Sequence, residues 1–180
     1  EIGIYTGERS HEIIKLSSMS NNKKINFIGF DMFEDISDKK IEEEFSKKPL
    51  NMNSIENNLN KLPYLNSLKL VKGNTNKILP DYYKNLQNHF DFIFIDGGHS
   101  IETINNDFKY SLKMIKNNGF IILDDYYHSN KKLTKYAGCN NLIDNLDNNF
   151  KIEISDNKDT HISPIYGRFE ISVVCVQKII

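Results

Sequence analysis

Two cysteines, two arginines and no long apolar run are the scarcities that first shape a reading of this 180-residue chain. The cysteines, Cys139 and Cys175, demand no oxidising compartment. Cys175 lies inside ISVVCV at 171–176, which reads as a core strand with the thiol as a small buried apolar group. The arginines, Arg9 and Arg168, stand far apart. Lysine pairs alternate with acids and the formal net charge is −1, so the basic residues read as solvated surface and not as a nucleic-acid stripe. No apolar run approaches the ~20 residues of a membrane-crossing helix. No signal peptide is visible, which makes a cytoplasmic protein the default and argues against a membrane partner. There is also no initiating methionine: Glu1 already stands inside a motif, so the chain reads as a fragment lacking its amino-terminal part. No internal repeat or boundary is visible, and one domain over residues 1–180 is expected, long enough to bury a core.

What is present is organised around residues 90–127. An apolar run at 92–95 ends in Asp96, Gly97, Gly98 and His99. Ile101, Ile104, Phe108, Leu112 and Ile115 follow at helical spacing. Asn117, Asn118 and Gly119 read as the helix breaker, and a second apolar run at 120–123 ends in Asp124 and Asp125. Strand, helix, strand in this order predicts two parallel strands joined by a right-handed crossover. Ligands of open α/β sheets bind at the carboxyl edge of the strands. Asp96, His99, Asp124 and Asp125 should therefore converge on one crevice.

Elsewhere, Gly3 and Gly7 permit a tight loop or close approach of a ligand; a structural turn explains them equally well. Ser10 is a plausible N-cap for a helix over 10–18. A strand at 25–30 ends in Asp31, placed to bond ribose hydroxyls or to cap its own loop. Residues 34–65 are polar and helix-prone, with one short helix at 41–45 and a second capped by Ser54. This segment is long enough to shape substrate access. A third strand at 68–71 precedes Gly73, Asn74 and Thr75, then a short helix over 82–86. Tyr126, Tyr127 and His128 belong at the crevice rim, and Gly138 and Cys139 precede a helix carrying Leu142, Ile143 and Leu146. Strands at 150–154 and 169–176 close the sheet as an antiparallel pair.

Taken together, these strings resemble a class I S-adenosylmethionine-dependent methyltransferase, and more narrowly the metal-dependent sugar O-methyltransferases of the macrocin O-methyltransferase type. EIGIYTG at 1–7 matches the E-x-G-x-x-x-G cofactor loop. GFDMFE at 29–34, VKG at 71–73 with Leu79 and Pro80, IDGGH at 95–99, DDY at 124–126 and the Gly138, Cys139 pair follow in the family's order. The resemblance implies an α/β doubly wound, mostly parallel seven-stranded sheet of order 3-2-1-4-5-7-6, with strand 7 antiparallel and the first strand truncated. It implies S-adenosylmethionine held by Glu1, Gly3, Gly7, Ser10, Asp31, Asn74, Thr75 and Asp96. It also implies Mg2+ or another divalent cation on Asp96, Asp124 and Asp125, with His99 as general base. Relatives divide here: some carry an acid two residues after the metal aspartate, where this chain has Gly98, and others a histidine three residues after it. The expected partner is a small-molecule or sugar acceptor, and a homo-oligomer is allowed for.

The chemistry suits these residue types. Methyl transfer from a sulfonium needs little beyond positioning and a deprotonated acceptor. A hard cation held by carboxylates would lower a hydroxyl's pKa, and an imidazole has the basicity to take the proton. The blander reading is that Asp96 caps the helix beginning near Ser100 and that Asp124 and Asp125 are loop acids. Two other functions compete. A nicotinamide-dependent oxidoreductase is disfavoured by glycines four apart, and the Tyr127, Lys131 pair reads as coincidence. A non-catalytic methyltransferase-like module is the third.

Overall fold

The computed structural model describes residues 1–44, 46–128, 137–163 and 167–179. Residue 45, the last of the short helix expected at 41–45, and Lys131 lie outside the described residues. The chain divides into two compact units, Glu1–Thr75 and Asn76–Ile180.

In the first unit, α1 (Glu8–Asn21) leads into β1 (Ile25–Asp31). Two short helices, α2 (Asp38–Glu43) and α3 (Met52–Leu59), precede β2 (Leu65–Lys72). β1 and β2 pair in parallel from Ile25 and Leu65 to Asp31 and Lys72. Their apolar side chains meet α1 and α3 in a core of Ile4, Ile14, Phe27, Phe33, Ile55, Leu59 and Leu70. Each such burial contributes about 1.5–3 kcal/mol, enough to override the polar composition of 34–65. Two expected caps are corrected. α1 starts at Glu8 with Gly7 as N-cap, so Ser10 lies inside the first turn. α3 is capped by Asn51, whose side chain accepts the Asn53 amide, and not by Ser54. Asn51 wins because a cap needs its side chain just outside the first turn.

In the second unit, α4 (Thr75–Tyr82) and a 3-10 turn (Tyr83–Asn85) precede β3 (Phe90–Ile95), α5 (Ile101–Met114) and β4 (Ile115–Tyr127). Then come α6 (Gly138–Asp144), β5 (Phe150–Ile154), β6 (Asp159–Ser163) and β7 (Gly167–Lys178). The strand order is β3-β4-β7-β5, with β6 also on β7. Only β3 and β4 are parallel here; β4, β5 and β6 all run antiparallel to β7.

The fold is therefore α/β with a mixed sheet, and the expectation of one mostly parallel seven-stranded sheet is corrected. The pairings form a two-stranded and a five-stranded sheet. Two causes are visible. Within the first unit, residues 1–4 add to β1 the isolated bridge Ile2 to Phe30 and no longer strand. The segment at 156–167, expected as a loop, contributes β6, which pairs with β7 from Asp159 opposite Ile171. Cys175 also departs from expectation. β7 buries Ser172, Val174 and Val176, so the strand's two-residue period turns Cys175 to the other face, half-buried, while Cys139 is the buried thiol.

Asn117, Asn118 and Gly119 do not end the helix. α5 stops at Met114, and the three residues form an excursion within β4. Phe90 pairs with Ile115 and Phe92 with Phe120, leaving four residues of β4 opposite Asp91 alone. Gly119 is needed there because a Cβ would stand 2.9 Å from the Asp91 carbonyl oxygen and 2.7 Å from the Ile115 side chain. Gly119→Ala should cost about 1–3 kcal/mol of overpacking. Chemical denaturation checks this; a midpoint unchanged from the parent contradicts it.

Candidate active site

The first unit carries the glycine loop. Gly3 and Gly7 take φ of 87° and 81°, in the left-handed region that glycine alone enters without cost. The Gly3 amide donates to the Phe30 carbonyl at 2.8 Å, and the Phe30 amide donates back to Glu1 at 2.9 Å. These bonds lay residues 1–3 alongside the end of β1. Asp31 stands at that end. Its carboxylate accepts the amides of Ile4 at 2.6 Å, Tyr5 at 3.1 Å and Phe33 at 2.7 Å. It thus holds the loop, and it stabilises the left-handed φ of 52° at Tyr5 and 50° at Phe33. Three of the four lone-pair sites of this carboxylate are used in this way. Gly73 donates to the Asp31 carbonyl at 2.8 Å, which brings the turn bearing Asn74 and Thr75 to the same strand end.

Glu1 is the electrostatic anomaly of this unit. Ser10 Oγ donates to its Oε2, but its Oε1 is buried with no hydrogen-bond partner. Burial pushes this carboxyl from 4.5 up to about 7. An orphaned buried carboxylate oxygen is costly, about 1–3 kcal/mol, unless a donor arrives.

The second unit carries the acid and histidine residues. The ends of β3 and β4, paired as far as Ile95 and Leu123, bring Asp96, His99, Asp124 and Asp125 around one small cleft that Ile104 also lines. One ligand atom from each of Asp96, His99 and Asp125 lies within 4.8 Å of the other two. His99 Nε2 is 2.5 Å from Asp125 Oδ2, with both side chains about four-fifths buried (20% and 17% exposed). Asp124 lines the cleft outside this trio, and its Oδ1 accepts the Asp125 amide at 2.9 Å. Helix capping is not the role of Asp96, because Ser100 is the N-cap of α5 and accepts the Thr103 amide at 3.2 Å.

A β-bulge aims Asp125. Leu123 pairs with Val174 and Tyr126 with Ser172, so Asp124 and Asp125 oppose Val173 alone. Asp125 takes a φ of 59°, which a side-chain-bearing residue adopts only when its surroundings hold it there. Such bulges gather beside functional sites, where they redirect a side chain.

Sequence reading missed Asn140. Its carboxamide accepts the Tyr127 amide and donates to the Tyr127 carbonyl, each at 3.0 Å. Only its neighbourhood with Gly138 and Cys139 hinted at it. Gly138 itself is required by contact. Its amide donates to the His99 carbonyl at 2.9 Å, and a Cβ there would stand 2.7 Å from the Ser100 carbonyl oxygen. Cys139 is buried, and burial, with Asp125 and Asp124 adding to it, pushes its thiol far up.

Comparison with known proteins gives the wider setting. The sequence model of a family described as "Methyltransferase domain" matches residues 1–126. No curated protein matches the sequence. Among solved structures, Rv0187 from MTB in cofactor-bound form is similar at 11% identity and TM-score 0.60, over 98% of this chain and 70% of that one. The O-methyltransferase TomG from Streptomyces achromogenes, in complex with SAM, is similar at 13% identity and TM-score 0.59, over 98% and 71%. A structure described in connection with the conversion of a disulfide bond into a thioacetal group during echinomycin biosynthesis is similar at 8% identity and TM-score 0.60, over 98% and 73%. At these identities the likeness is one of fold.

The raised carboxyl of Glu1 yields a pH test. The folded state keeps its proton up to about pH 7, whereas the unfolded chain releases it near 4.5. Between those values the unfolded state binds fewer protons, so stability falls as pH rises. Glu1→Gln should flatten the melting-temperature profile across that window. Parallel slopes for the two proteins would contradict the burial of this carboxyl.

Proposed function

The chain belongs to the methyltransferase-domain family, and on that premise we propose that it transfers a methyl group from S-adenosylmethionine to a hydroxyl of a small molecule or sugar, assisted by a divalent cation. Family membership sets aside the nicotinamide reading. The observation that carries the metal-assisted form is the convergence of Asp96, His99 and Asp125 within 4.8 Å at the ends of two parallel strands.

The first unit is assigned the donor. The orphaned Glu1 Oε1 fits the ammonium group of its methionine part, because it is a buried acceptor lacking a donor. Gly3 and Gly7 present backbone with no side chain in the way. Asp31 is assigned to the ribose. Its single remaining acceptor site allows one hydroxyl contact unless the loop releases an amide. Asn74 and Thr75 are assigned to the adenine.

The second unit is assigned acceptor activation. Two carboxylates and an imidazole form a donor set suited to a divalent cation such as magnesium or manganese. Such a cation, when bound, would lower the acceptor hydroxyl's pKa. Asp96 and Asp125 are its proposed ligands, and Asp124 supports Asp125 through the amide it accepts. His99 is the proposed general base. Its Nε2 lies 2.5 Å from Asp125 Oδ2, a contact that would orient the ring to take the hydroxyl proton as the methyl reaches oxygen and the thioether departs. The closeness of His99 to both carboxylates also favours a second reading, in which His99 is a third metal ligand. Oxygen as the acceptor atom rests on the acid and imidazole set; the sugar O-methyltransferase subtype and a single domain over 1–180 rest on the motif resemblance.

Calorimetry with S-adenosylmethionine and turnover of a diol and sugar panel, with and without magnesium, test the proposal. Binding should be magnesium-independent, and EDTA should abolish turnover. Asp125→Ala should lower turnover roughly 100-fold or more while sparing donor binding. Full turnover in EDTA would end the metal-assisted form, and absence of donor binding would leave the non-catalytic module. His99→Ala separates the two readings of the imidazole: a base loses turnover alone, a ligand loses cation affinity too.

A further inference from the structure

We infer that Asn140 is a positioning residue for the His99, Asp125 pair, acting from α6 through the backbone of Tyr127. This inference rests on the role proposed above for that pair.

β3 pairs with β4 only as far as Leu123. Beyond it, β4 keeps β7 as partner on one edge, with Tyr127 opposite Ile171, while the β3 edge has run out. Asn140 stands in for the missing strand. Asn140 is nearly inaccessible (4% exposed), and its carboxamide makes the donor and acceptor bonds to Tyr127 that a neighbouring backbone would make. Two residues upstream lies Asp125, held at a φ of 59° in the bulge. A left-handed residue of this kind persists only while its flanks are tied. The upstream flank is tied by β7 at Leu123 and by the Asp124 side chain on the Asp125 amide. The downstream flank is tied by β7 and by Asn140.

The same turn of α6 holds the other partner. Gly138, two residues before Asn140, donates to the His99 carbonyl, and its lack of a Cβ lets α6 sit against Ser100 and Ile104. One short helix start therefore fastens both backbone segments whose side chains meet at 2.5 Å. Breaking the Asn140 clamp frees the strand end, relaxes the bulge and separates Asp125 from His99.

The test compares the parent with Asn140→Ala, Asn140→Asp and Phe150→Ala. Asn140→Asp keeps the volume and the acceptor for the Tyr127 amide, but it sets a carboxylate against the Tyr127 carbonyl, so it remains informative if the alanine variant does not fold. Phe150→Ala, on β5 at the far edge of the sheet, is the control for general destabilisation. Nitrogen-15 NMR reads the His99 tautomer, and calorimetry with Mn2+ reads cation affinity. The parent should show a fixed Nε2–H tautomer. Both Asn140 variants should show averaged ring nitrogens and an Mn2+ affinity lower by about 10-fold or more, while Phe150→Ala keeps both signatures. Unchanged tautomer and affinity in the Asn140 variants would overturn the positioning role, as would equal losses in Phe150→Ala. A parent that binds no Mn2+ yet shows a fixed tautomer lost in the Asn140 variants sinks the metal reading and leaves the positioning role standing.

Discussion

The bulge at Asp124 and Asp125 is the constraint on which the second unit's cluster of acids and histidine depends. A regular antiparallel ladder would send these two side chains to opposite faces of the sheet. Two residues opposite Val173 alone break that alternation and turn one of them left-handed. Asp125 thereby meets His99, while Asp124 is left to hold the Asp125 amide. The strained conformation persists because β7, the Asp124 carboxylate and the Asn140 carboxamide grip its two sides.

The first unit solves a different problem with the same chemistry. Its glycine loop has few hydrogen bonds of its own, and Asp31 supplies three acceptor contacts to it. Glu34 acts similarly at the next turn. It accepts the Met52 amide at 2.9 Å and pairs with Lys72, so its carboxyl lies at about 2, held down first by the Lys72 hydrogen bond. The acids of this unit are therefore partly structural. Glu1 stands apart, with one buried oxygen lacking a partner. Buried polar groups are almost always paired, so that oxygen is an exception in this interior.

Much of this was legible in the residues. Strand, helix and strand over 90–127 followed from apolar period and length, which also placed the acids at the strand ends. The caps were less legible. Ser10 and Ser54 carried the right side chain in nearly the right place, yet Gly7 and Asn51 cap those helices, since backbone geometry one turn away decides which residue stands outside the first turn. β6 was unreadable because DTHIS has no apolar run and is a strand only by lying on β7.

The sequence by itself determined the class of fold, the order of the motifs and the placing of carboxylates and a histidine at strand ends. These follow from local periodicity and from the chemistry of each side chain. Only the tertiary structure decided which acids meet. Asp125 joins Asp96 and His99 because β7, a strand far downstream, is one residue short against β4. Asn140 closes the strand edge because β3 has ended there. Register and edge are relations between distant segments, and no local pattern encodes them.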